Sequence, residues 1–139
     1  MSHISKIQLE INSLEDLKAA CLRLGFTFKE NQKTYAWYGR FVGDSPLPEG
    51  INQEDLGQCD HVIQVPECSY EVGVVKKGLK YILLWDSWYR GGLEQKIGKE
   101  AGILKQTYTI ERIKREAKHK KYQIKEIQKD QSIRLVLRV

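Results

Sequence analysis

At the start of the chain, apolar residues first recur with the spacing of a β-strand and then with the spacing of an α-helix. Each spacing predicts one secondary-structure element. From His3 to Ile11, the chain alternates with a period of two, with apolar residues at Ile7, Leu9 and Ile11, and it contains β-branched isoleucines, which together predict a β-strand. Ser13 follows where its hydroxyl can cap a helix, and Gly25 stands where the chain can turn with positive φ. The apolar stripe between them has helical spacing: Leu14, Leu17, Cys21 and Leu24. The sequence therefore predicts a strand followed by a helix over 13–25.

The middle of the chain predicts several strands and one long loop. Residues 26–42 are strand-like and aromatic in their second half, and three further strands are predicted over 59–65, 70–76 and 80–85. Between them, Pro46, Pro48 and Gly50 mark an irregular loop over 43–58. A loop of this length is either functional or an insertion without a role, and the sequence leaves both open.

The last third predicts a helix and a hairpin. The helix is placed from about Leu104 to Lys121, because Gly98 and Gly102 break the pattern before it. Strands over 122–127 and 132–139 follow. The order β-α-(several β)-α-β-β predicts an α+β fold, a two-layer sandwich with one antiparallel sheet and two helices on one face. Residues expected in its core are Leu17, Leu24, Ile113, Leu135 and Leu137.

The length and composition of the chain predict that residues 1–139 form a single domain. Of the 139 residues, 41% are hydrophobic and 29% charged, which is typical of a globular protein. The longest apolar run, Tyr81 to Trp85, is too short to span a membrane, and residues 1–11 lack the core of a signal peptide. Three irregularly spaced cysteines predict reduced thiols. We therefore expect a soluble, cytoplasmic protein without disulfides or cofactor.

The charge is concentrated in one segment. Between Leu93 and Lys121 there are nine basic and four acidic residues, so this segment carries the whole net charge of +5. Such a concentration favours a nucleic acid or an acidic protein as partner, although a solvated helix face is the alternative. The candidate residues for a partner or polyanion are Arg112, Lys114, Arg115, Lys118 and Lys121.

Three stretches of the chain together resemble a known family. They are Met-Ser-His-Ile-Ser-Lys-Ile at the start with Leu-Arg-Leu-Gly at 22–25, then 106–118, and then 130–137. They resemble a family of small conserved proteins of unknown function, found in cyanobacteria and other bacteria and encoded in algal plastid genomes. The resemblance implies a soluble protein of the bacterial cytoplasm or the plastid stroma. It implies no reaction, cofactor or site residue.

Aromatic residues in the middle of the chain give a second candidate surface. Trp88 precedes Arg90, and Arg40 follows Trp37 and Tyr38. Aromatic and arginine side chains together anchor protein partners or stack on nucleobases, although alternate aromatics in strands are usually core. Arg90 also begins an Arg-Gly-Gly turn before a helix, which is a possible anion site.

Metal binding and catalysis have only weak candidates. Cys59, His61 and Cys68 carry zinc- or iron-binding groups, but their spacing matches no zinc motif. Asp86, between Trp85 and Ser87, is a carboxylate whose pKa apolar neighbours would raise, but it has no evident catalytic partner. No nucleotide-binding, metalloprotease or serine-hydrolase motif occurs.

The sequence therefore predicts a non-enzymatic binding module that contacts a protein through its basic helix and exposed aromatics, without contact to a membrane. An RNA- or DNA-binding protein is the first alternative. A metal-binding protein or enzyme is the second.

Overall fold

The body of the molecule is an antiparallel sheet of five strands. The computed structural model describes residues 3–40, 46–120, 123–129 and 132–138. The strands are β1 (Ile4–Ile11), β2 (Thr27–Lys29), β3 (His61–Gln64), β4 (Val72–Lys77) and β5 (Lys80–Asp86). Their spatial order is β1-β5-β4-β3-β2, so the first strand of the chain pairs with the fifth. The predicted α+β class with one antiparallel sheet is confirmed.

The helices begin and end largely where the sequence predicts. They are α1 (Leu14–Leu24), α2 (Leu93–Ile97) and α3 (Gly102–His119), with single 3-10 turns at Gln53–Asp55, Tyr89–Gly91 and Lys99–Ala101. The Ser13 hydroxyl caps α1 by accepting the Asp16 amide at 3.2 Å. Gly25, with φ at 78°, ends it. No helix in the described ranges is long and apolar enough to cross a bilayer.

One face of the sheet is covered by α1 and α3, as predicted. Leu17 of α1 and Leu104 of α3 pack with Ile63 and Leu83 of the sheet, and all four are fully buried. Burying one such side chain stabilises the fold by about 1.5–3 kcal/mol. This face therefore forms the main core.

The other face of the sheet is covered by the irregular segment between β2 and β3. Tyr35, Ile51 and Leu56 of this segment form a second buried cluster with Val62 and Leu84. The described part of the predicted loop, residues 46–58, therefore has a structural role.

Two predictions about strands are wrong. Of the predicted strand over 26–42, the described part, 26–40, forms a strand only at Thr27–Lys29, and residues 41–42 lie outside the described residues. The chain then leaves the sheet edge, because Tyr35 packs against the flat surface of Gly73, where a Cβ would lie only 2.4 Å from the ring. The closing hairpin, β6 (Gln123–Lys129) and β7 (Ser132–Arg138), is also not part of the main sheet; it forms a separate two-stranded sheet.

The position of the hairpin corrects the predicted core. The hairpin lies beside α3, and an open groove between them is lined by Ile113 and Leu135, both of which are only half-buried. Leu24 is half-buried as well, whereas Leu17 is buried as predicted. The Leu137 side chain lies outside the described part.

Candidate functional site

Asp86, at the end of β5, joins three distant segments. Its side chain is fully buried. Oδ1 accepts the backbone N–H groups of His3 at 3.0 Å and Trp88 at 3.1 Å, and Oδ2 accepts that of Tyr38 at 3.1 Å. Both oxygens are therefore occupied by the backbone. This carboxylate holds the structure together, and the geometry gives it no place in a catalytic reaction.

An aromatic cluster surrounds this junction, formed by Tyr38, Tyr70, Trp88, Tyr89 and Arg90. The Trp88 ring lies at its centre, 5.1 Å from the Tyr38 ring and 5.9 Å from the Tyr89 ring, with interplanar angles of 89° and 76°. The Tyr70 ring is 6.5 Å away. The first two contacts are edge-to-face, an arrangement that aromatic rings prefer. The rings therefore support one another and form a continuous surface.

Arg90 covers the outer side of this surface. Its guanidinium lies 5.6 Å from the centre of the Trp88 ring and 5.8 Å from that of Tyr89. Its Nε also donates to the Tyr89 hydroxyl at 3.1 Å. Arg90 is exposed, and 64% of Tyr89 is accessible to solvent. The Tyr89 ring and the Arg90 guanidinium are thus exposed to solvent while both are supported by the Trp88 ring.

Gly91, the first glycine after Arg90, makes room for the cluster. The Tyr70 ring lies on Gly91, where a Cβ would be 2.0 Å from Cδ2 of the ring. The amide of Gly91 donates to the Trp88 carbonyl at 2.9 Å, and that of Gly92 to the Tyr89 carbonyl at 3.2 Å. Both glycine amides are therefore used within the turn, and an anion site at the start of the following helix stays a prediction.

The basic residues of α3 are largely paired with acids from other elements. Arg115 donates from Nε to Oδ1 of the buried Asp16 at 2.8 Å, and this hydrogen bond raises the Arg115 pKa. Lys114 lies 3.5 Å from Glu126 of β6. These two cations hold α1 and the hairpin to α3. Each of these two candidate cations therefore already has an acidic partner within the protein, and their binding of a polyanion stays a prediction.

A further arginine completes this network. Arg23 of α1 pairs with Glu126 and, at 3.5 Å, with Glu111 of α3. The hydrogen bond that Arg23 donates to Glu126 lowers the Glu126 pKa and raises the Arg23 pKa. Glu126 is thus the acid that neutralises both Arg23 and Lys114 at the junction of α1, α3 and β6.

The remaining cations named from the sequence are scattered. Arg112 approaches Glu116 at 3.8 Å, one turn along the same helix. Lys118 and Arg40 are exposed, and neither forms an ion pair within the described residues. Lys121 lies outside the described residues. Among the described candidates, the structure therefore brings Trp88 and Arg90 together, and places Arg112, Lys114, Arg115 and Lys118 on α3.

The three candidate metal ligands are not brought together. Cys59 is buried and donates from Sγ to the Gln32 carbonyl at 3.2 Å, and burial raises its pKa to about 11. His61 accepts the Asn31 amide on Nδ1 at 3.0 Å, and burial lowers its pKa. Cys68 lies beside Gly92. Within the described ranges, no group of three His, Cys, Asp or Glu residues is placed to hold a metal.

Sequence reasoning found part of this site and missed part. Trp88 and Tyr38 belong to the aromatic surface that the sequence predicted, whereas Tyr35 and Trp85 of the same part of the chain are buried in the core. Tyr70 was missed, since nothing near it in the sequence marks it as a neighbour of Gly91. No family model, curated protein or solved structure matches this chain.

Proposed function

We propose that the protein is a non-enzymatic binding module, and that its partner is a protein that docks on the aromatic cluster. The observation that carries the proposal is the stacking of exposed Arg90 and Tyr89 on Trp88, whose backbone is fixed by Asp86. Trp, Tyr and Arg are the residues that contribute most binding energy at protein interfaces. The resemblance noted in the sequence implies that the partner is found in the bacterial cytoplasm or the plastid stroma.

The packing of the rings favours a protein over a stacked nucleobase. A base needs an open ring face, but the half-buried Trp88 ring packs at steep angles against Tyr38 and Tyr89 and also lies against the Arg90 guanidinium. The same packing holds the side chains in one arrangement before the partner arrives. Pre-organisation lowers the entropy lost on binding, which is about 0.5–1.5 kcal/mol for each side chain that must be fixed.

The test compares capture of proteins from a native lysate by two matched variants. Tyr89→Ala/Arg90→Ala removes the exposed part of the cluster. Leu22→Ala/Leu79→Ala removes two exposed apolar side chains elsewhere, 82% and 95% accessible in the folded protein. Both pairs lie on the surface, where substitutions usually change stability by within about 0.5 kcal/mol.

We expect the wild type and the leucine variant to retain the same protein, and the Tyr89/Arg90 variant to lose it. Retention should resist nuclease treatment. Equal retention by all three proteins, or release by nuclease, would refute docking of a protein on this cluster.

A further inference from the structure

The first strand of the chain lies at one edge of the main sheet, with β5 as its neighbour in the strand order. The register places Ile4 opposite Asp86, and the Ser87 amide donates to the His3 carbonyl at 3.2 Å. In an antiparallel ladder, hydrogen-bonded pairs of residues alternate with pairs that are not bonded. The backbone N–H and C=O groups of Ile4 and Lys6 therefore point away from β5, toward the open side of the sheet.

The second half of β1 contains an irregularity that leaves more of its backbone unpaired. Three of its residues, 8–10, lie opposite Ile82 alone, where the register shifts between Ile7 and Ile11. One residue carries a single N–H and a single C=O, so Ile82 cannot bond all three. The residues of β5 opposite Ile7 and Ile11 are two apart and bond on the same side, so the backbone of Glu10 points outward.

An open cleft of about 410 Å³ runs along this edge of the sheet. Residues 5–8 of β1 line it on one side, and Lys99 and Lys105 are among the residues on the other. Successive side chains of a strand point to opposite faces of the sheet, so four consecutive residues line one cleft where it meets the strand's edge. Among the described residues, no backbone group outside the sheet is bonded to residues 4–10. The edge is therefore open to a further strand.

The side chains of β1 are complementary to a second, antiparallel copy of the same strand. A two-fold axis through Gln8 would place Lys6 of each copy opposite Glu10 of the other, and Gln8 opposite itself. It would also pair Ile7 with the half-buried Leu9. Opposite charges at directly paired positions stabilise antiparallel strands. The same register joins Lys6 to Glu10, two residues whose backbone groups point outward, so charges and hydrogen bonds favour one arrangement.

Both charges are accessible for this pairing. Lys6 is exposed and forms no ion pair within the described residues. Glu10 pairs with Lys80 of β5, but both of these side chains are more than half exposed. An ion pair at such a position contributes little to stability. A carboxylate has two oxygens, so Glu10 can accept from a second lysine while it keeps the first.

We propose that two copies of the protein pair through the outer edges of β1, so that their five-stranded sheets form one continuous antiparallel sheet. A two-fold axis that uses the same surface on both copies is the commonest symmetry of homodimers. Strand addition at a sheet edge takes its affinity from backbone hydrogen bonds and its specificity from side chains. No residue of the aromatic cluster takes part, so this inference goes beyond the proposed function and does not depend on it.

The experiment measures the mass of the protein in solution by analytical ultracentrifugation over a range of concentrations. Lys6→Glu places acids opposite Glu10 in both copies, and Glu10→Lys places cations opposite Lys6. The control is Lys29→Glu, which changes the charge equally at an exposed position of β2, on the other edge of the sheet. Circular dichroism confirms that each variant is folded, as expected for surface substitutions.

We expect the wild type and Lys29→Glu to form dimers whose share rises with concentration. Each test variant turns two attractive pairs into repulsive ones, so its dimer should have a dissociation constant at least about tenfold higher. Mixing Lys6→Glu with Glu10→Lys should restore the dimer, because every acid of the first variant then faces a lysine of the second. If a charge reversal prevents folding, Lys6→Gln should still weaken the dimer by a few-fold.

Two further measurements locate the interface. In hydrogen exchange, the Lys6 amide should be protected in the dimer and should exchange rapidly in the monomer. Tyr89→Ala/Arg90→Ala should dimerise like the wild type, so a failure of protein capture by the aromatic cluster leaves this result unaffected.

Three results would overturn the inference. The first is a wild type that stays monomeric up to millimolar concentration, which would mean that Lys6 and the irregularity over 8–10 keep this edge unpaired, as such features do on other edge strands. The second is a dimer that Lys29→Glu weakens as much as Lys6→Glu does. The third is a mixture of the two charge-reversed variants that remains monomeric.

Discussion

Replacing Asp86 by Asn tests whether this carboxylate holds the aromatic cluster in place. The substitution keeps the size of the side chain but turns one acceptor oxygen into an NH₂ donor. The remaining oxygen can still take the two bonds that Oδ1 accepts from His3 and Trp88. The new NH₂ group then faces the Tyr38 N–H, which loses its acceptor.

The cost follows from these three bonds. A buried donor left without an acceptor costs about 1–3 kcal/mol, and a hydrogen bond to a neutral oxygen is weaker than one to a charged oxygen by about 1 kcal/mol. With two bonds weakened and one lost, Asp86→Asn should lower the free energy of unfolding by about 3–5 kcal/mol. For a chain of this size that corresponds to a fall in Tm of about 10–15 °C.

The assay is urea unfolding combined with native-state hydrogen exchange. The amides of Tyr38 and Trp88 should lose protection in Asp86→Asn before those of the central strands do. Asp60→Asn is the control, since Asp60 accepts a single backbone N–H, that of Lys76, at a half-buried position. It should cost under about 1 kcal/mol. Equal costs for the two variants, or unchanged protection at Tyr38 and Trp88, would refute the role given to Asp86.

Three further predictions concern the core and its charges. Arg115→Gln should lower Tm more than Lys118→Gln does, because it leaves Asp16 buried and unpaired, and adding Asp16→Asn should recover part of the loss. Burial raises the Cys21 pKa from 9.0 to about 12, so the folded state keeps this proton longer than the unfolded state. Stability should thus fall as pH rises from about 9 toward about 12, and urea midpoints should show a smaller fall in Cys21→Ala. Gly91→Ala should cost about 1–3 kcal/mol by displacing Tyr70, and should weaken partner capture as Tyr89→Ala/Arg90→Ala does.

The sequence correctly predicted those features of the fold that are determined by residues close together in the chain. The cap at Ser13, the end of α1 at Gly25 and the pairing of β6 with β7 all depend on residues close together in the chain. The prediction of a strand over 26–42 failed for a related reason. Tyr35 is buried on the face of the sheet and the Tyr38 amide donates to Asp86, contacts that no local pattern reveals.

The candidate site was harder to predict, because the sequence shows which residues are charged but does not show which residues they pair with in the fold. Arg115 looks like a surface cation in the sequence, and only the fold places Asp16, 99 residues away, against it.

The pairing of β1 with β5 has a consequence for the protein as it is synthesised. The contact between His3 and Asp86 spans 83 residues, so β1 leaves the ribosome well before β5, the strand with which it pairs. During that interval Ile7 and Ile11, which are buried in the finished molecule, stay exposed on the nascent chain beside α1. Closing so long a loop delays the pairing. Of the strands in this sheet, β1 therefore stays unpaired for longest. Chaperones that bind nascent chains have the most time to bind this strand.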